Sequence, residues 1–263
     1  MKTTGMYKIW QVIYPVGIYY VVASIAFYML TFFMGETQET YMLRQMICAA
    51  LTIPFVLTFY RQDQAIADNV YGKRQFSFSA KTLGDAGLAI LLGALIGIGV
   101  NNVIAMTPLI EQSAGFAEAN EAFFAGQVVY EFLGSCLLIP IAEELLYRGV
   151  VYRRLRLWLG VWPAVAVSAL IFGAIHVNLV QFLYAGILGL LLAFLMEKCG
   201  FLYAPVLAHI AANVAAVVRQ ETGWLAFAYE PTVAGIGVTV AILAVAAGVL
   251  AWQVKGYRKE NRA

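Results

Sequence analysis

Eight stretches of this 263-residue chain are apolar over the length a bilayer demands, and that property rules out almost every soluble fold. They lie at about 10–34, 41–60, 84–105, 127–147, 160–177, 179–196, 200–218 and 232–252. A spanning helix needs about 20 predominantly apolar residues, and within hydrocarbon a helix satisfies each backbone N–H and C=O inside its own segment. The expected class is all-α: a polytopic membrane bundle of about eight transmembrane helices. Composition agrees, with 62% of residues hydrophobic and 12% charged, against about a quarter charged in soluble domains. No stretch is long enough to form a separate soluble core, so residues 1–263 are expected to be a single transmembrane domain. The first run is too long for a cleavable signal peptide and lacks a small-residue cleavage site, so residues 1–34 are expected to stay as the first span.

Cytoplasmic loops carry the excess of Lys and Arg, which sets the orientation. With the N-terminus inside, the same side collects Lys2, Lys8, Arg61, Lys73, Arg74, Lys81, Arg148, Arg153, Arg154, Arg156, Lys198, Lys255, Arg258, Lys259 and Arg262. Only Arg44 and Arg219 of the 17 basic residues fall elsewhere, and the 106–126 loop holds Glu111, Glu118 and Glu121 but no cation. Both termini are therefore expected in the cytoplasm, and the compact loops and short tails suggest a bacterial inner membrane. A net charge of +2 gives no footing for nucleic acid. Cys48, Cys136 and Cys199 show no metal-ligand spacing and are expected to pack as small apolar groups. The polar stretch 61–85 is expected as a cytoplasmic loop with an interfacial segment, and 107–126 as a short amphipathic helix on the outer surface.

Three short segments place ionisable groups where hydrocarbon should be, and such groups default to a functional reading. The first is Glu143-Glu144-Leu-Leu-Tyr-Arg148. Residues four apart share a helix face, so Glu144 should pair with Arg148 while Glu143, about 100° away, faces elsewhere. A carboxylate without a cation at helical spacing suits a general base, whereas the pair reads as scaffold. The second and third hold the two histidines of the chain, Phe172-Gly-Ala-Ile-His176 and His209-Ile-Ala-Ala-Asn213. His209 and Asn213 share one face, and donors aimed where negative charge develops form an oxyanion hole. By helical rise, Glu143 lies roughly 20 Å above Arg156, His176 roughly 24 Å above Gly160, and His209 and Asn213 roughly 14 and 20 Å above Gly200. These depths match, provided the Glu143 helix runs unbroken to about Trp158, with Pro140 a kink or restart above it.

In order, the pattern E-E-x-x-x-R, F-x-x-x-H and H-x-x-x-N over about residues 130–220 resembles the CAAX-processing endopeptidase and bacteriocin-processing family of intramembrane proteases. Gly149 fits, and Tyr147 stands where Phe is commoner. The resemblance implies a glutamate-dependent peptidase in which Glu143 and His176 activate water and His209 and Asn213 stabilise the oxyanion. It further implies that Glu144 and Arg148 hold the site together and that Phe172 packs beside His176. No cofactor is expected. The alternative is a three-ligand zinc site of Glu143, His176 and His209 with an open position, although an H-E-x-x-H helix is absent. The expected partners are a peptide or protein substrate, lipidated or not, and membrane lipid. A rival function keeps the fold but not the chemistry, as a membrane adaptor or bacteriocin self-immunity protein. Against it stands Glu143, which costs on the order of 3 kcal/mol at mid-membrane. A proton-coupled transporter would be expected to show an internal repeat, and none is visible.

Overall fold

The computed structural model describes residues 4–73, 75–176 and 178–260. Lys2, Arg74 and Arg262, counted in the orientation argument, and Val177, the last residue of the fifth run, lie outside them. The described residues form a helical bundle: α1 (Gly5–Met34), α2 (Tyr41–Tyr71), α3 (Ala80–Ala105) and α4 (Ala114–Phe124) precede the long α5 (Val128–Arg156). Then come α6 (Val161–Ala174), α7 (Leu179–Cys199), α8 (Tyr203–Thr222) and α9 (Val233–Glu260). The protein is an integral multi-pass membrane protein, and each of the eight apolar runs falls on one helix.

The count of eight independent spans is not reproduced. Five helices (α1, α2, α3, α7 and α9) are long and apolar enough to cross alone, and α4 with α5 adds a sixth only as a pair bent by 109°. The reasons are physical. α5 is long enough but carries the buried charges of the first motif. α8 has the length but is interrupted by His209, Asn213 and Arg219. α6 has 14 residues, about 21 Å of rise against a hydrocarbon layer of about 30 Å, so it is too short to cross alone. The polar stretch after residue 60 is likewise helical for longer than expected, because α2 continues to Tyr71. The amphipathic helix expected within 107–126 is α4.

α5 and α7 are central and α1 peripheral: 56% of the apolar window of α7 is buried, against 6% for α1. Ala142, Leu146, Tyr147, Val151 and Leu155 of α5 share one core with residues of α1, α2, α6 and α7. α3 meets α8 backbone to backbone. A Cβ on Gly93 would stand 2.0 Å from the Ala208 carbonyl oxygen, and one on Gly97 3.0 Å from Ala212 Cβ. This small-xxx-small contact on both helices fixes one face of α8.

One end of the bundle is basic. Arg154 pairs with Asp63 at 2.8 Å and donates to the Gln11 carbonyl, Arg156 pairs with Glu197 at 2.9 Å, Lys198 with Asp85 at 2.6 Å and Lys81 with Glu260 at 3.5 Å. These contacts tie the ends of α1, α2, α3, α5, α7 and α9 together. Arg44 and Arg219 lie at the opposite end, where Arg44 donates to Thr31 Oγ1 and to the Gly35 carbonyl. Arg148 is the exception to the basic-end grouping. It is buried beside Glu144 and belongs to neither end.

Candidate active site

The three sequence motifs meet where α5, α6 and α8 face one another. α5 is continuous through Pro140 rather than restarted there, but its hydrogen bonding slips to the wider i→i+5 register at Glu131–Leu138 and Leu145–Tyr152, either side of the Pro140–Glu144 turn. Such π segments cluster at functional sites. Between them, Glu143 and Glu144 both turn toward His209. Glu144 Oε1 accepts from Arg148 Nη1 at 2.9 Å and from His209 Nδ1 at 2.9 Å, while Glu143 Oε2 lies 3.8 Å from His209 Nε2. Glu143 faces away from Arg148, as expected, but the expectation that it points elsewhere than the surroundings of Glu144 needs correction, since both carboxylates approach His209. The imidazole presents two nitrogens on different edges, so side chains diverging by one helical step each reach one of them.

The protonation pattern follows from the partners. A carboxylate held by Arg148 only accepts, so His209 Nδ1 carries the hydrogen donated to Glu144. The side chains of Glu144 and Arg148 are fully buried. Arg148 also donates from Nη2 to the Gly189 carbonyl at 3.3 Å, and its guanidinium lies 4.4 Å from the centre of the Phe172 ring. That approach depends on Gly189, where a Cβ would come within 3.2 Å of Phe172 and Ala169.

Phe172 is the hub of the site. Its ring stands edge-on to Tyr147, His176 and His209, with centroids 5.0, 5.3 and 5.9 Å away. His176 caps its own helix: the Phe172 carbonyl is one of the last, intrahelically unpaired acceptors of α6, and His176 Nδ1–H donates to it at 2.9 Å. A carbonyl cannot donate, so Nε2 is left as the acceptor of the neutral ring. His176 and Glu143 stand within electrostatic reach of one another. Asn213 is placed differently from His209. Its amide donates to the Ser135 carbonyl of α5 at 2.7 Å, so the two do not converge on one partner.

Glu143 differs from Glu144 in access. It lines a cleft of about 330 Å³ between α1 and α2, walled by Tyr19, Tyr20, Phe27, Cys48 and Ala49. A larger cavity of about 820 Å³ opens at the basic end, and none of the motif residues lines it. Among the described residues no three His, Cys, Asp or Glu side chains are gathered as a metal-ligand group. Sequence reasoning missed Tyr20, Ser135 and Gly189. One signal was available: Tyr147 stands in an apolar run between Leu146 and Arg148, and a phenol buried there needs a partner. That partner is the Tyr20 hydroxyl at 3.2 Å, which draws α1 against α5 beside the cleft.

Residues 125–215 match the family model described as type II CAAX prenyl endopeptidase Rce1-like. The chain is 29% identical over 86 residues to "Putative membrane peptidase YdiL" of Bacillus subtilis (strain 168), covering 33% of this chain and 35% of that one. It is 31% identical over 108 residues to "Uncharacterized protein YpbD" of the same organism, covering 39% and 53%. The chain thus spans about a third to a half of the length of the curated relatives it matches. No solved structure matches it. The matched segment holds all seven motif residues, from Glu143 to Asn213, and so the region that builds the site fits the CAAX-processing endopeptidase and bacteriocin-processing family that its motifs resemble.

Proposed function

We propose that the protein is a glutamate-dependent intramembrane endopeptidase that cleaves a peptide bond of a membrane-associated or lipidated substrate. The observation that carries this reading is the pairing of Glu143 Oε2 with His209 Nε2 at 3.8 Å, at the edge of a cleft that reaches Glu143 alone of the motif residues. That separation is too long for a good direct hydrogen bond, so neither group is committed to the other and each is open to an incoming oxygen. Glu143 takes a proton from the attacking water as its oxygen adds to the scissile carbonyl carbon. His176 Nε2 accepts from the same water. The oxyanion is met by His209 Nε2–H, which requires the imidazolium because Nδ1–H is committed to Glu144. In this reading the second amide hydrogen of Asn213 donates to the same charge once the oxyanion forms, and collapse of the intermediate sends the proton to the leaving amine. Glu144, Arg148 and Phe172 hold His209 in place and touch no reacting atom.

The reading is tested by presenting the purified protein with a peptide library that includes lipidated C-termini. Cleavage at a defined bond supports it, and the absence of cleavage in every class would leave the adaptor or self-immunity reading. The mechanism uses no metal. Dialysis against a chelator is expected to leave turnover unchanged, with far less than one zinc per chain by elemental analysis. Stoichiometric zinc whose removal abolishes activity would make His209 a ligand, because one imidazole nitrogen cannot both bind zinc and donate to an oxyanion.

The basic end of the bundle is taken to be cytoplasmic in a bacterial inner membrane, with both termini on that side. Lys73 and Glu118 are exposed and belong to opposite ends. Cysteine at position 73 should therefore resist an impermeant thiol reagent in intact cells, and cysteine at position 118 should react. Equal reaction from outside would overturn the orientation.

A further inference from the structure

Asn213 is held by a carbonyl that Pro140 leaves without a helical partner, and we propose that Pro140 is a positioning residue that aims the Asn213 amide. In an α-helix the Ser135 carbonyl would accept from Ile139, and in the wider register of this segment from residue 140. Ile139 N–H is committed to the Gly134 carbonyl instead. Residue 140 is proline, which has no N–H to give. Ser135 Oγ cannot substitute, since it donates to the Glu131 carbonyl at 2.6 Å. A buried carbonyl with no donor is unfavourable, and Asn213 Nδ2 supplies the bond at 2.7 Å.

The consequence lies in the geometry of the carboxamide. It is planar and carries two hydrogens on one nitrogen, so fixing one on Ser135 fixes the direction of the other. Asn213 sits one turn, about 6 Å, beyond His209 on the same face of α8. Pro140 itself is buried and stands three residues before Glu143. A single residue thus sets both the register of the helix that carries the general base and the aim of an oxyanion donor on another helix. Asn213 requires this help because, unlike His209, it has no charged partner to orient it among the bonds it forms.

The effect on turnover presupposes the peptidase reading; the hydrogen-bond device does not. The full chain, labelled with ¹⁵N at asparagine and held in detergent or nanodiscs, would be compared with Pro140→Ala, with Asn213 resonances identified by their loss in Asn213→Ala. In the unaltered protein one Asn213 side-chain hydrogen should exchange slowly with solvent. In Pro140→Ala the new N–H can serve Ser135, and that protection should fall by about tenfold or more. Fast exchange of both hydrogens in the unaltered protein, or unchanged protection in Pro140→Ala, would overturn the proposal. A second comparison covers failure of the single variant to fold: Pro140→Ala added to Asn213→Ala should raise the melting temperature above that of Asn213→Ala alone, because it restores a donor to Ser135. No rise would overturn it equally. Where a cleaved peptide is in hand, Pro140→Ala should lower kcat toward the roughly 10²-fold loss expected for Asn213→Ala, with KM unchanged and no further loss in the double variant. Lost protection with undiminished kcat would remove the positioning role while leaving the peptidase reading intact. Changed protection in a protein that cleaves nothing would do the reverse.

Discussion

Glu143→Gln should lower peptide turnover by about 10²–10⁴-fold, the share a positioned general base supplies, and should leave the protein at least as stable as before. The two halves of that expectation come from different features of one side chain. Glu143 faces the cleft and makes no ion pair with Arg148. Glutamine keeps its shape and removes a charge from an apolar setting, where that charge is unfavourable by on the order of 3 kcal/mol. Stability is read from the melting temperature of the purified protein and turnover from single-peptide kinetics. KM should stay near its original value, because proton abstraction belongs to the transition state rather than to binding. A variant that cleaves at a rate within about threefold of the original would remove Glu143 from the mechanism. The geometry around His209 would then serve recognition instead, as an adaptor or self-immunity protein requires.

How far this site was legible in the sequence depended on whether a contact was local. Glu144 and Arg148 are one turn apart, and helix geometry alone brings them together, as observed at 2.9 Å. Phe172 and His176 are also one turn apart, and their rings meet. Apolar runs located all eight helices they were taken to be, since length and hydropathy are properties of the segment itself. How many of them cross alone is not fixed by the runs: five helices are long and apolar enough, or six with the bent α4–α5 pair, and α5, α6 and α8 carry the motif charges or are short. The bond from His209 to Glu144 spans 65 positions and that from Asn213 to Ser135 spans 78. No periodicity encodes such pairings; they follow from the close packing of α3 on α8 at Gly93 and Gly97, which turns His209 and Asn213 toward α5. Pro140 was visible as a helix anomaly, but a proline predicts a missing hydrogen bond without saying what replaces it. The answer came from another helix.

Glu144 and Arg148, next to the general base in sequence, should behave in the opposite way to it. Glu144→Gln and Arg148→Met should each destabilise the protein by about 3–5 kcal/mol, because each leaves the remaining buried charge short of its partner. Both side chains are fully buried, so neither charge can turn to water. In Glu144→Gln, Arg148 would keep the Gly189 carbonyl, the face of Phe172 and a neutral amide oxygen, but no counter-charge from position 144. The double variant is the decisive measurement. Removing both charges together should be much less damaging than the sum of the single changes, giving a coupling energy at the upper end of the usual range of about 0.5–3 kcal/mol for residues in contact. Turnover should not recover with stability, because glutamine at position 144 no longer offers His209 Nδ1 the carboxylate that fixes its tautomer and ring plane. A stable but inactive double variant would thus separate the two tasks of Glu144, neutralising Arg148 and orienting His209. Single variants with unchanged melting temperatures would show that the pair is not the scaffold. A double variant that regains full turnover would show that His209 does not depend on Glu144 for its alignment.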